Sequence, residues 1–235
     1  MVRIGVIGAM DEEIAFMKEK IDVYGESTQA KIKFYEGTFE NKEVVLCKSG
    51  VGKVNAAVTT QLLIDRFKVT HVVFTGVAGA LHPALEVGDI VISTSLLQHD
   101  IDASALSPHF KQGTIPMFEH ESEFTASNEL VALAVAAAKQ LEGPQVRKGK
   151  ILSGDQFIAD RSIVEKYRSL FDGDCIEMEG SAVAQACFLN DVPFVVIRSI
   201  SDKANGEAPA SFTEFTKLAA ERSSFMAESI IKALQ

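Results

Sequence analysis

Short runs dense in β-branched and aliphatic residues recur along the chain: RIGVIGA (3–9), EVVLCKSG (43–50), HVVFTGVAG (71–79), DIVISTSL (89–96), KGKILSGD (148–155), DCIEMEG (174–180) and FVVIRSISD (194–202). Several are apolar at consecutive positions rather than at every second one, the pattern of a strand covered on both faces. Between them, helical periodicity predicts helices over 11–21, 52–67, 128–142, 160–171, 180–191 and 211–234. In the second of these, Val54, Val58 and Leu62 repeat at one-turn spacing and make a mostly apolar stripe. Alternating strands and helices predict an α/β fold, a three-layer α/β/α sandwich around a central mixed, mostly parallel twisted sheet. Residues 99–127 break this rhythm, with two prolines, several aromatic residues and no clean period. A stretch of that length covers a site or meets a partner.

Composition narrows the choices. The 235 residues contain no dividing linker, so one domain over 1–235 is expected, and 47% apolar content is enough for a large core. The net charge of -9 and the lack of a Lys/Arg cluster speak against nucleic acid and anionic membranes, which leaves a small-molecule partner. No apolar run approaches the ~18 residues of a spanning helix, and MVRIGVIGAMDEE lacks a signal-peptide head and cleavage site, so the expected location is cytoplasmic. Cys47, Cys175 and Cys187 are far apart in apolar contexts and are expected to pack in the core. HDID (99–102) is the one His/Asp cluster, but strand alternation would turn Asp100 and Asp102 away from His99, so no metal site is expected.

Ligands in α/β sheets collect where strands end and helix N-termini offer free N–H groups. Read in order, those ends are GAMDEE, SGVGK, TGVAGAL, SGDQFI, EMEG and RSISDKA. GVIGAM lacks the three-glycine dinucleotide spacing, and SGVGK lacks the full phosphate-loop spacing. Asp11, Glu12 and Glu13 exceed what compensating a helix dipole requires. Asp202 closes an apolar run, four residues after Arg198, where desolvation would set its pKa as a general acid requires.

The series GVIGAMDEE, SGVGKVNAA, TGVAGAL, VGDIVIS, SGDQFI, EMEG, VPFVVIRSISDKA and SF at 211 resembles, in order, the motifs of bacterial 5'-methylthioadenosine/S-adenosylhomocysteine nucleosidases, from Val2 to the last helix. The resemblance implies a nucleoside phosphorylase-like fold and hydrolysis of the N-glycosidic bond of 5'-substituted adenosines. It implies Asp202 as the acid that protonates N7 of adenine, positioned by Ser201, Glu13 as the water-activating carboxylate, and Arg198 as the cation holding the same water. Phe157 would pack on the base, the backbone of Ile158 would pair with its edge, and Gly79 would lie in the loop approaching it. Met178 and Glu179 would contact the ribose, with Glu177 supporting them, and Met10, Val51 and Phe212 would line the 5' pocket. Leu106 and Pro116 occupy positions expected to reach the neighbouring subunit's 5' pocket, which implies a homodimer with residues 99–127 at or near the interface. No metal or organic cofactor is implied.

Two departures from the family pattern stand out: Val77 where serine is common, and a 99–127 loop lacking the common aromatic-rich stretch. TGVAGAL, SGDQF, EMEG and RSISD also resemble relatives acting on 6-amino-6-deoxyfutalosine in menaquinone synthesis. Phosphorolysis on the same fold and a non-catalytic nucleoside-binding module are the remaining alternatives. The acids after the first strand disfavour a phosphate nucleophile.

Overall fold

The computed structural model describes residues 2–118, 120–204 and 208–235. The chain begins with β1 (Arg3–Gly8) and α1 (Asp11–Lys18), followed by β2 (Asp22–Gln29), β3 (Ile32–Phe39) and β4 (Lys42–Lys48). Next come α2 (Lys53–Asp65), β5 (His71–Ala80), β6 (Ile90–Gln98) and the short β7 (Glu123–Thr125). The remainder is α3 (Asn128–Ala138), β8 (Val146–Ser153), α4 (Arg161–Phe171), β9 (Cys175–Glu177), α5 (Gly180–Leu189), β10 (Phe194–Asp202) and α6 (Ala208–Ala233).

The strands form one mixed sheet in the order β2-β3-β4-β1-β5-β9-β8-β6-β10, with β7 on β6. Strand pairs β1–β4, β1–β5, β5–β10, β6–β8 and β8–β9 are parallel. Pairs β2–β3, β3–β4, β5–β9, β6–β7 and β6–β10 are antiparallel. Because β10 pairs with both β6 and β5, strands β5, β9, β8, β6 and β10 close into a ring, a feature that the alternation of elements does not predict. In the ring the carboxyl end of β5 pairs with both β10 and β9, while β1 runs parallel to the start of β5.

The doubly apolar strands divide their residues between two cores. In β4, Val45 and Cys47 join one cluster and Val44 and Leu46 the other; in β10, Phe194 and Val196 part in the same way from Val195 and Ile197. Residues of α2 and α5 fill the first core, and residues of α1, α3 and α6 fill the second. That is the three-layer arrangement expected of consecutive rather than alternating apolar residues.

Strands β2 and β3 fall outside the sequence expectation for a physical reason. Every residue of β2 is exposed or half-buried, so it shows no apolar alternation. Its turn to β3 uses Ala30 and Lys31, and the β3–β4 turn uses Glu40 and Asn41, all four at positive φ. Such two-residue turns usually advertise themselves by Asn-Gly or Asp-Gly pairs, absent here. Two helix N-termini carry side-chain caps: Ser127 accepts from the Leu130 N–H at the start of α3 and Asp160 from the Ser162 N–H at the start of α4. Helices α1 and α3 stop short of the predicted 21 and 142, at Lys18 and Ala138.

Phe34 of β3 is fully buried, with its ring centroid 4.6 Å from that of Phe67. Phe34→Ala should lower unfolding free energy by about 3–5 kcal/mol, measured by urea denaturation. A loss under about 1 kcal/mol would show that the β2–β3–β4 meander contributes little to the core.

Candidate active site

A cavity of about 280 Å³ opens where the carboxyl ends of β1, β5 and β10 meet the β9–α5 turn. Its wall contains Met10, Glu13, Val51, Gly79, Phe157, Ile158, Met178, Glu179, Ser201, Asp202 and Phe212 from the expected set. Arg198, Leu106 and Pro116 are not on that wall. Leu106 is 69% exposed on the 99–127 stretch. The side chain of Ser211, part of the SF motif, lies outside the described residues.

Two glycines of TGVAG make the site possible. Gly76 is in register with Arg198 and Gly79 with Asp202 across the β5–β10 pair. A Cβ on Gly76 would lie 2.5 Å from Glu13 Oε1 and 2.8 Å from Arg198 Nη1; one on Gly79 would lie 2.9 Å from Asp202 Oδ1. The small residues therefore make room for charged side chains, a purpose invisible in the motif itself. Between Ile200 and Asp202 the register shifts, so Ser201 is a bulge residue, a local device that re-aims the end of a strand.

Glu13 is buried and held by backbone N–H groups: Oε2 accepts from Ala9 at 2.5 Å and Met10 at 3.1 Å, and Oε1 accepts from Val77 at 3.1 Å. Burial raises its pKa, while Arg198 and those three N–H groups pull the other way. At position 77 the contribution to Glu13 is thus a main-chain donor that any non-proline residue supplies, and the Val77 side chain joins the cavity wall. Asp202 is also buried; Oδ1 accepts from the Ala204 N–H at 2.7 Å and Oδ2 from the Ser201 hydroxyl at 2.9 Å. Its pKa is raised by burial and restrained by these two bonds.

The two acids of IEMEG have separate tasks. Glu177 faces inward, accepting from the Ser153 hydroxyl, the Glu179 N–H at 3.2 Å and the Gly180 N–H at 2.8 Å, and so caps α5. Arg198 donates to its Oε2 through Nε at 3.1 Å and Nη2 at 2.5 Å, and lies 3.9 Å from the Phe74 ring centroid. Arg198 thus sits beside the cavity, its charge committed to Glu177, which itself lines the wall, with Nη1 on the side of Glu13. Glu179 instead accepts from the Gly52 N–H at 2.8 Å at the start of α2. Burial pushes its pKa up to about 8, Glu177 adds to the rise, and Arg198 and the Gly52 N–H oppose it. Ser153, Phe74 and the backbone of Ala9 and Gly52 were not singled out by sequence; their types are ordinary, and only their placement marks them.

The HDID cluster disperses. Asp100 pairs with Lys53 at 2.6 Å, Asp102 accepts from the Ser104 N–H at 2.9 Å, and the His99 ring packs 4.5 Å from that of Tyr167. Among the described residues no group of three His, Cys, Asp or Glu is arranged to hold a metal ion, and no helix is long and apolar enough to cross a membrane. Cys47, Cys175 and Cys187 are buried free thiols.

This chain and its fold have known counterparts. The sequence pattern of the Phosphorylase superfamily matches residues 3–232, and the chain belongs to that family. Within it, the chain is 43% identical over 235 residues to the 5'-methylthioadenosine/S-adenosylhomocysteine nucleosidase of Halalkalibacterium halodurans, with 100% of each covered. The solved 5'-methylthioadenosine/S-adenosylhomocysteine nucleosidase of Neisseria meningitidis, in complex with methylthio-immucillin-A, matches with a TM-score of 0.94 at 38% identity, covering 100% of both chains. Futalosine hydrolase of Helicobacter pylori matches with a TM-score of 0.93 at 36% identity, covering 99% of this chain and 98% of that one.

Gly76→Ala should destabilise the protein by about 1–3 kcal/mol, since its Cβ would press on a buried ion cluster; an unchanged urea midpoint would contradict this. For Glu179, the folded carboxyl at about 8 exceeds the ordinary 4.5, so between these values the folded chain keeps a proton that the unfolded chain has released. Its contribution to stability is complete below pH 4.5 and declines as pH rises toward 8. Glu179→Gln should flatten that decline in denaturation curves taken across the window; identical slopes in both proteins would refute it.

Proposed function

We propose that the chain hydrolyses the N-glycosidic bond of 5'-substituted adenosines, such as 5'-methylthioadenosine, S-adenosylhomocysteine and 5'-deoxyadenosine, releasing adenine and a 5-substituted ribose. The observation that carries hydrolysis is the cavity wall: it contains Glu13, Glu177, Glu179 and Asp202 and, among the described residues, no Lys or Arg. A wall with four acidic side chains and no cation offers a phosphate nucleophile no counter-charge, while its ionised members suit a cationic sugar and a neutral water.

The reaction sets three tasks, and the residues divide them. Adenine leaves poorly as an anion, so Asp202, whose pKa burial raises, gives a proton to N7. The Ser201 hydroxyl and Ala204 N–H then stabilise the carboxylate that remains. Glu13 orients and deprotonates the water; its three backbone donors fix the carboxylate and leave acceptor capacity on Oε1. Arg198 acts on Glu13 through its field, which makes it a positioning residue here. Glu179 holds the ribose hydroxyls, with Met178 under the sugar.

Ile158 offers its backbone to the edge of the base and Gly79 lets it approach closely. Phe157 packs on the base, and its ring meets that of Phe212 edge-on at 5.7 Å. Met10, Val51 and Phe212 supply apolar surface for the 5' substituent. The likeness to futalosine hydrolase supports 6-amino-6-deoxyfutalosine as an alternative substrate with the same adenine and ribose contacts.

Residues 1–235 act in this reading as one cytoplasmic domain that pairs as a homodimer, with the 99–127 stretch at or near the interface. The solvent-facing apolar side chains of Val54, Val58, Leu106 and Met117 support that pairing. Leu106 and Pro116, absent from their own chain's cavity wall, are the residues assigned to the neighbouring 5' pocket.

Adenine release from a panel of the four nucleosides, with kcat/KM for each in phosphate-free buffer, tests the reaction and the 5' preference together; strict dependence on added phosphate would defeat hydrolysis. Asp202→Asn should lower kcat by about a thousandfold while leaving the melting temperature within a few degrees. Retained turnover in the folded variant would remove Asp202 from the role of acid.

A further inference from the structure

The loop after β8 carries Gln156, Phe157 and Ile158 to one side of the cavity, and the turn before α2 carries Val51 to another. These two segments are joined by a closed ring of three interactions. The Lys53 N–H donates to Asp155 Oδ1 at 2.8 Å, the Asp155 N–H donates to Asp100 Oδ2 at 2.9 Å, and Lys53 Nζ donates to Asp100 Oδ1 at 2.6 Å. Helix α2 has glycine at its N-cap and no side-chain cap of its own, so Asp155, 102 residues away, caps it. The adjoining N–H, that of Gly52, holds Glu179.

The ring is anchored on a firm base. Asp100 follows β6, whose last residue, Gln98, is in parallel register with Ser153 at the end of β8. Lys53 Nζ also reaches Gln98 Oε1 at 3.1 Å, and Gln98 Nε2 donates to Gln185 Oε1 on α5 at 2.6 Å. The Lys53 and Asp100 side chains are only 17% and 19% exposed, so the pair is shielded from water more than an ordinary surface ion pair. Removing either partner leaves the other charge in that half-buried place.

We propose that Asp100 and Lys53 are positioning residues that lock the 153–158 loop onto the start of α2, so that the base side and the sugar side of the cavity are held at a fixed separation before substrate arrives. This inference rests on the nucleosidase reading of the cavity. Asp100 touches neither that cavity nor Asp202 or Glu13, so the ring governs how much ordering the substrate must itself bring about on binding. Preorganisation of this kind is read in KM, whereas the reacting groups are read in kcat.

The experiment compares the wild type with Asp100→Asn, Lys53→Met and the double variant, all shown to be folded by thermal melting. Without ligand, the Lys53 and Asp155 amides should exchange with deuterium at least several-fold faster in each variant. With 5'-methylthioadenosine as substrate, each single change should raise KM about tenfold with kcat within about threefold. The kcat–pH profile should stay in place, and the double variant should be no worse than the weaker single one, because the ring is already open.

Unchanged exchange would overturn the ring. Faster exchange with unchanged KM, a fall in kcat alone, or additive effects in the double variant would overturn its positioning role. A wild type that releases no adenine would defeat the nucleosidase reading and not the ring, which the exchange data test on their own.

Discussion

One buried guanidinium among three buried carboxylates is the constraint around which the site is built. Arg198 shares its surroundings with Glu13, Glu177 and Glu179, all at most a few per cent exposed. Charges in such a place are tolerated only when geometry commits them to partners. The protein commits Arg198 to Glu177, through two nitrogens on one oxygen, and stacks the guanidinium on Phe74. Glu13 and Glu179 then rely on backbone N–H groups, and burial raises both their pKa values. One acid neutralises the cation so that two others remain free to work.

The closed ring of β5, β9, β8, β6 and β10 makes that commitment geometrically possible. It brings β9, with Glu177, and β10, with Arg198, to the same end of β5. Gly76 and Gly79 on β5 stand opposite Arg198 and Asp202, and any larger residue would occupy the space of the charged groups. The bulge at Ser201 then turns the strand end so that Ser201 and Asp202 both line the cavity. Strand pairing, glycine placement and acid chemistry are therefore one arrangement seen at three scales.

Helix N-termini provide the second organising element. Glu177 caps α5 from the strand before it, and α2, lacking a local cap, is capped by Asp155 while its preceding Gly52 N–H holds Glu179. Main-chain donors that would otherwise be unsatisfied fix carboxylates at defined positions, with the helix dipole favouring the negative charge. Loops far apart in the chain are drawn together by this need, and the cavity lies between them.

The α/β class, the seven apolar strands and the motif series at their ends were legible in the chain, because a strand buried on both faces must be continuously apolar and ligand-facing turns must carry small and polar residues. The acids Glu13, Glu179 and Asp202 were legible for the same reason: each ends or follows such a run. Strands β2 and β3 were not: β2 is exposed and leaves no apolar period, and the positive-φ turns on either side of β3, built from Ala30, Lys31, Glu40 and Asn41, carry no glycine signal to mark a hairpin. Glu177 and Glu179, two residues apart in one short motif, were separated only by the family resemblance, not by pattern or spacing. By itself the sequence determined which residue types end the strands; only the tertiary structure decided which acid received Arg198, because the contact between Glu177 of β9 and Arg198 of β10 depends on ring closure across residues distant in the chain.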